Sequence, residues 1–125
     1  MRALSAVLCA MLLVSGGCFG MRKLTWEEKM DSSAGVERTQ GVVEVAEENK
    51  WSAIPQVIDR LEDDDVSVRV TAVRTLREMT GCHFGYVAYA DEPERREAAL
   101  RWRNWWNTVG RNGPGASTPS TGEKP

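Results

Sequence analysis

Residues 61–76 read LEDDDVSVRVTAVRTL, and this stretch determines the fold that the sequence predicts. Three consecutive aspartates are followed by apolar residues at the spacing of one helical face, up to Gly81, a residue type that commonly ends helices. The pattern predicts a helix over 65–80 with a broad apolar arc. That arc consists of Val66, Val68, Val70, Ala72, Val73, Leu76 and Met79.

Arg69 falls inside the arc, whereas the other charged residues of this helix fall at or beyond its margin. A guanidinium that faces a core needs a partner, because an isolated buried charge is very costly. The nearest carboxylates belong to the aspartate turn, residues 63–65, and a planar guanidinium can give a carboxylate two parallel hydrogen bonds. We therefore expect a structural ion pair of Arg69 with Asp63 and Asp65. Asp64 or Asp65 should also cap the helix.

Two further helices are predicted, one on each side. The first covers 52–61, with Ser52 as its N-cap and Pro55 in its first turn, and its apolar face is formed by Ile54, Val57, Ile58 and Leu61. The second begins near Pro93 and ends near residue 109. Residues 42–50 fit either a weaker helix or an extended segment.

The helix pair over about residues 50–80 resembles the HEAT repeat, an antiparallel helix pair of roughly forty residues that stacks into solenoids. The residues that carry this resemblance are Pro55, Leu61, Asp63, Val68, Arg69, Ala72 and Leu76. The resemblance implies an all-α protein, a short HEAT-like helical hairpin with flanking helices, that acts as a protein–protein interaction module. Only one clear repeat is present, whereas solenoids use three or more, so flanking helices or a partner must complete the stack.

Composition divides the chain into four parts. Residues 1–17 have the layout of a signal peptide. Residues 18–40 lack a sustained apolar period and are predicted to be a flexible tether. Residues 110–125 are rich in Gly, Pro, Ser and Thr and are predicted to be a disordered tail. The HEAT-like helical domain is therefore expected over residues 41–109.

The predicted signal peptide has one basic residue, Arg2, before an apolar run over 3–14 and three small residues. The run is shorter than the roughly 20 apolar residues of a membrane-spanning helix. Residues 15–18, SGGC, resemble a bacterial lipobox in which Cys18 is lipidated, with Ser where an aliphatic residue is usual. Ordinary signal peptidase would also suit this site, and an unmodified Cys18 would be a free thiol or pair with Cys82.

The chain carries 16 Lys and Arg against 18 Asp and Glu, a formal net charge of −2. Acidic residues dominate the segment 26–65, and five arginines lie between Pro93 and Arg111. The acidic balance and the expected export disfavour a nucleic-acid partner. We expect the acidic half to be a solvated face.

The helix after Pro93 contains three tryptophans among several arginines. Three interpretations are open: packing of the tryptophans in the core, a membrane-interface or partner-binding face, and a platform for cell-wall glycan. The partner-surface interpretation includes the loop before the helix. Its residues are Phe84, Tyr86, Tyr89, Trp102, Arg103 and Trp106.

Cys82-His83 is the only pair in the sequence with metal-ligand chemistry, and a zinc site needs three or four ligands at defined spacing. The aspartates at 63–65 lack the alternating ligands and central glycine of a calcium loop. Phosphate-binding loops and hydrolase motifs are absent from the sequence as well. We therefore expect no enzyme activity, no cofactor and no metal.

These features predict a non-catalytic, HEAT-repeat-containing lipoprotein of the bacterial envelope, exported and membrane-anchored at the periplasmic face or the cell surface. Its expected partners are an unidentified protein and, through N-terminal acyl chains, the membrane. Nucleic acid and small-molecule cofactors are not expected. Two alternatives stay open: an accessory factor resembling HEAT-like lyases, and a cell-wall glycan binder that uses exposed tryptophans.

Overall fold

A computed structural model describes residues 20–116 of the chain. This part is helical and contains no strand, so the predicted all-α class is confirmed. Its five helices are α1 (Trp26–Met30), α2 (Gly35–Glu47), α3 (Ile54–Asp59), α4 (Val66–Thr80) and α5 (Glu92–Thr108). Short 3₁₀ turns lie at Trp51–Ala53, Arg60–Glu62 and Gly110–Asn112. The predicted signal peptide, Cys18 and residues 117–125 lie outside the described residues.

The central helix α4 forms as its sequence predicts. The carboxylate of Asp65 caps it by accepting a hydrogen bond from the backbone N–H of Ser67 at 2.8 Å. At the other end, Gly81 takes the left-handed conformation with a φ of 70°, which glycine adopts without steric cost. Local sequence therefore fixes both ends of α4.

The helix α3 is the shorter partner of α4 in the central hairpin. Its predicted apolar face is buried, with Ile54, Val57, Ile58 and Leu61 all in the core. The predicted N-cap role of Ser52 is wrong, because Ser52 lies within a 3₁₀ turn and the N-cap residue is Ala53, which makes no side-chain cap bond. The helix predicted over 52–61 is thus α-helical only in its middle.

Residues 25–40, predicted to belong to a flexible tether, are largely helical, so for them that prediction is wrong. A capping box fixes α1: the side chains of Thr25 and Glu28 each accept a hydrogen bond from the other's backbone N–H. The helix packs on α2 at Gly41, where an added Cβ would lie 2.8 Å from the carbonyl oxygen of Trp26. A helix of 5 residues is too short to show an apolar period, which is why the sequence pattern missed it. The folded domain therefore begins near Thr25 rather than at residue 41.

The helices pack in the spatial order α1, α2, α4, α3 and α5. The central hairpin of α3 and α4 therefore has α2 on one side and α5 on the other, as expected for flanking helices. The largest fully buried side chains of this core include Trp102, Tyr86, Ile54, Ile58, Leu61 and Leu76. No helix between residues 20 and 116 combines the length and apolar character needed to cross a membrane.

Candidate functional site

The carboxylate of Asp63 in the aspartate turn is paired with Arg38 of α2, not with Arg69. Arg38 donates from Nε to Oδ2 of Asp63 and from Nη2 to Oδ1, both at 2.8 Å. Both side chains are buried, since each residue is only 8% exposed. The backbone N–H of Asp65 adds a further hydrogen bond to Asp63 Oδ1 at 2.9 Å. The turn is therefore bound to the first part of α2, which lies within the segment 18–40 predicted as a tether.

This pairing controls the protonation of both partners. Burial alone would raise the pKa of Asp63, but the hydrogen bonds from Arg38 and the Asp65 backbone outweigh it, so that pKa is lowered. The hydrogen bond with Asp63 likewise raises the pKa of Arg38 above its ordinary value. The carboxylate is thus held ionised in the folded chain.

The predicted ion pair of Arg69 with the carboxylates of Asp63 and Asp65 is wrong. Arg69 instead donates from Nη1 to the backbone carbonyls of Asp63 at 2.8 Å and Asp64 at 3.0 Å, and from Nε to the carbonyl of Ala88 at 3.1 Å. The Asp63 carboxylate is hydrogen-bonded to Arg38, and the Asp65 carboxylate caps α4. Arg69 was correctly expected to contact the turn, but it does so through the main chain.

One of these contacts belongs to a larger pattern in residues 82–90, which connect α4 to α5 and which we call the latched segment. Four arginines hold four alternate carbonyl oxygens of this segment. Two of them come from α4 and two from α5: Arg101 binds Phe84, Arg77 binds Tyr86, Arg69 binds Ala88 and Arg95 binds Ala90. Hydrogen bonds from charged donors are stronger than neutral ones, so this array fixes the backbone of the loop.

Burial alternates along the latched segment. The even-numbered side chains of Cys82, Tyr86 and Ala88 are buried, and Phe84 is half-buried. The odd-numbered residues are exposed, and they are His83, Gly85, Val87 and Tyr89. Up to Val87 this alternation is that of an extended chain with one face on the core, and a turn over Ala88 and Tyr89 follows, closed by the Ala90 N–H on the Val87 carbonyl at 3.1 Å. The segment therefore presents a fixed exposed ridge, formed by those four odd-numbered residues.

Two members of the predicted partner surface are instead core residues, so the prediction is wrong for them. Tyr86 is 2% exposed and its hydroxyl donates to the carbonyl of Leu61, and burial raises its pKa. Trp102 is 0% exposed and meets the half-buried Phe84 edge to face, with ring centroids 4.7 Å apart. Of the predicted residues, Tyr89 is the most exposed, at 78%.

The tryptophans support the core-packing interpretation. Trp102 and Trp105 are buried, and Trp106 is half-buried beside Trp51. Trp51 donates from Nε1 to the carbonyl of Gly110 at 2.7 Å, so the start of the predicted disordered tail is ordered as a 3₁₀ turn. A glycan platform needs open ring faces, which the buried indoles do not offer.

Arg103, the remaining predicted surface residue, bridges α5 to the central hairpin. It donates from Nη2 to the carboxylates of Glu62 at 2.6 Å and Asp59 at 3.4 Å. Hydrogen bonds and attraction from these carboxylates raise the pKa of Arg103 against the opposing effect of desolvation. Its guanidinium is thus already paired within the chain.

A polar cavity of about 350 Å³ lies where the aspartate turn meets the start of α5. We call it the arginine cavity, and its lining residues are Glu62, Asp63, Asp64, Arg69, Glu92, Arg95 and Arg96. It is built from the aspartate turn with the residue before it and from the first turns of α4 and α5. No sequence pattern indicates this cavity, because its residues are brought together only by the helix packing.

Cys82 and His83 form no paired site. The thiol of Cys82 is buried, and that burial raises its pKa, whereas the His83 side chain is exposed. A buried thiol of raised pKa is a poor nucleophile. Among residues 20–116 no group of three or more His, Cys, Asp and Glu side chains is arranged to hold a metal ion.

Comparison of the chain with protein-family models, with curated proteins and with solved structures gives no match. The exposed ridge of the latched segment and the arginine cavity are therefore taken as candidate sites on their own geometry. The two sites are connected, because Arg69 and Arg95 line the cavity and also bind the carbonyls of Ala88 and Ala90.

Proposed function

We propose that this chain is a non-catalytic interaction module of the bacterial envelope, anchored to a membrane by acyl chains on Cys18 and HEAT-like in architecture. Its partner-binding surface would be the exposed ridge of the latched segment. The observation that carries the proposal is the array of four arginines that holds this ridge in one conformation.

A fixed ridge is favourable for binding because its ordering cost is already met during folding. Val87 and Tyr89 project from the ridge as exposed apolar and aromatic side chains, at 56% and 78% exposure. Tyrosine is enriched in protein interfaces, since it combines a large apolar area with a polar tip. Both side chains are therefore suited to act as anchors in a partner's pocket.

The backbone of the ridge adds a second means of recognition. In a trans peptide the N–H points opposite to the carbonyl of the preceding residue. Because the carbonyls of Phe84, Tyr86 and Ala88 face arginines, the N–H groups of Gly85, Val87 and Tyr89 point away from them. No backbone hydrogen bond within residues 20–116 uses these three N–H groups. They would be free to donate hydrogen bonds to acceptor oxygens of the partner protein.

The length of chain between Cys18 and the folded part limits how far from the membrane this surface would lie. Since α1 begins at Trp26 and is capped by Thr25, only a short linker separates it from Cys18. That linker spans at most roughly 25 Å when fully extended. The module would therefore sit close to the membrane rather than on a long tether.

Site-specific photocrosslinking tests the proposed surface. A photoreactive residue at position 89 or 87 of the full chain should give one discrete protein adduct in intact membranes. The matched control is position 74, where the exposed Arg74 lies on the same helix pair away from the ridge. Identical adducts from all three positions, or adducts from position 74 alone, would rule out the ridge as the binding surface.

Mass spectrometry of the membrane-extracted chain tests the anchor separately. The expected product begins at Cys18 and carries acyl chains, and Cys18→Ser should move the protein out of the membrane fraction. Recovery of an unacylated Cys18 chain from the aqueous fraction of wild-type cells would refute the lipid anchor.

A further inference from the structure

Two guanidinium groups border the arginine cavity without a carboxylate partner. Arg69 donates only to the backbone carbonyls of Asp63, Asp64 and Ala88, and Arg95 donates to that of Ala90. Neither forms an ion pair with any residue of the described range 20–116. Both are nevertheless fixed in position, because carbonyl oxygens hold one edge of each guanidinium.

The carboxylates of the same cavity are matched by other arginines. Asp63 and Asp64 both pair with Arg38, each at 2.8 Å. Glu62 pairs with Arg103 at 2.6 Å, and Glu92 pairs with Arg96 along α5. Each acidic residue of the cavity therefore pairs with an arginine other than Arg69 and Arg95.

Arg69 and Arg95 also lie near one another, although they come from different helices. Both line the same cavity, and they bind the carbonyls of Ala88 and Ala90, which are two positions apart. In addition, Nε of Arg95 is buried and has no hydrogen-bond partner within the described residues.

We propose that the arginine cavity binds a single oxyanion, a carboxylate or a phosphate group, between the guanidinium groups of Arg69 and Arg95. Guanidinium groups suit these oxyanions because their planar donors match two oxygen atoms at once. The volume of about 350 Å³ exceeds that of one such group and leaves room for the molecule that carries it. This site does not depend on the lipid anchor, but it shares Arg69 and Arg95 with the array that holds the latched segment.

Nuclear magnetic resonance titration of the full chain tests the site with two probes, sodium acetate and inorganic phosphate, at constant ionic strength set by chloride. We expect saturable shifts of the Arg69 and Arg95 Nε signals with at least one probe. Stronger binding of acetate would identify a carboxylate ligand, and stronger binding of phosphate would identify a phosphate ligand. Shifts that rise linearly with both probes, without saturation, would overturn the proposal.

Substitutions separate binding from folding. Arg95→Gln should weaken the saturable binding about tenfold or more, since it removes a charged donor. Arg95→Lys keeps the charge and replaces Arg95→Gln in the test if the glutamine variant unfolds. It should bind the oxyanion more weakly than wild type does, because the planar guanidinium donors are lost. The matched control is Arg74→Gln on the exposed side of α4, which should bind as wild type does. Equal affinity in folded Arg95→Gln and Arg74→Gln would also overturn the proposal.

Discussion

Arg38 and Asp63, which lie 25 positions apart in the sequence, form a buried pair joined by two hydrogen bonds of 2.8 Å. The same guanidinium also donates from Nη1 to the carbonyls of Ser32 and Ser33, at 2.9 and 3.0 Å. One side chain thus ties the start of α2 to the turn between α3 and α4. The pair links the amino-terminal helices to the central hairpin.

Arg38→Leu should lower the free energy of unfolding by about 3–5 kcal/mol, because it leaves the Asp63 carboxylate buried without its counter-charge. Urea denaturation at pH 7 measures this loss. Arg74→Leu, at an exposed position, should change stability by no more than about 0.5 kcal/mol. If Arg38→Leu lowers the free energy of unfolding by less than about 1 kcal/mol in the same experiment, the pair does not stabilise the fold as proposed.

The lowered pKa of Asp63 makes stability depend on acid in a defined direction. A carboxyl whose pKa is lower in the folded state stabilises the fold fully above its unfolded pKa, about 3.9, and loses that contribution as pH falls through the folded value. Urea midpoints between pH 7 and pH 3 should therefore fall less steeply below about pH 4 for Asp63→Asn than for wild type. Parallel pH profiles for the two proteins would show that Asp63 does not carry this effect.

Gly41→Ala should lower the free energy of unfolding by about 1–3 kcal/mol, because the new methyl group overpacks the contact between α1 and α2. Its Cβ would lie 2.8 Å from the Trp26 carbonyl and 2.9 Å from Met30 Cγ. Hydrogen exchange of the α1 amides should become faster at the same time. Gln40→Ala, exposed on the same helix, is the control, and equal behaviour of the two variants would mean that α1 is not docked there.

Arg69→Ala should cost about 2 kcal/mol of folding stability through loss of charged hydrogen bonds to carbonyl groups. The specific signature is faster hydrogen exchange of the Ala90 amide, which donates to the Val87 carbonyl at 3.1 Å, because the adjacent carbonyl of Ala88 loses its donor. Arg74→Ala, on an exposed face of the same helix, should leave that exchange unchanged. If the latched segment stays equally protected without Arg69, the latch does not depend on this residue.

Trp102→Ala should lower the free energy of unfolding by about 3–5 kcal/mol, the range for truncating a buried aromatic side chain. Wild-type fluorescence should be blue-shifted and protected from acrylamide because Trp102 and Trp105 are buried. The variant should lose part of that protected emission. Red-shifted, fully quenchable emission from the wild-type protein would contradict the packed core.

The sequence predicts the parts of this fold that depend on local signals. α4 has a long apolar period, an aspartate cap and a terminating Gly81, and all three are present in the structure. The weaker helix considered over 42–50 belongs to α2, which begins at Gly35, so its first turns were missed. α1 was missed altogether because it spans 5 residues and is fixed by its capping box and by contact with α2.

The candidate sites were harder to predict because they depend on contacts between distant residues. The sequence predicts that Arg69 pairs with carboxylates of the aspartate turn, but the Asp63 carboxylate is bonded to Arg38 instead. The local sequence pattern contains no signal for a partner 25 positions away. The sequence also contains no signal for which loop carbonyls Arg77 and Arg101 bind, since every residue has a carbonyl. The burial of Tyr86 and the exposure of Tyr89 become predictable only once the backbone of the loop is known, because Tyr89 lies in its turn.

In the latched segment, residues 82–90, the backbone conformation and the exposed side chains are determined by different groups. Its arginines hold main-chain oxygens, which no side-chain substitution removes, while Gly85 with a φ of 71° supplies the one bend that favours glycine. The exposed residues His83, Val87 and Tyr89 can therefore be substituted without changing the packing of the core. The domain can serve as a display scaffold, in which randomising three positions would retarget binding while the framework stays the same.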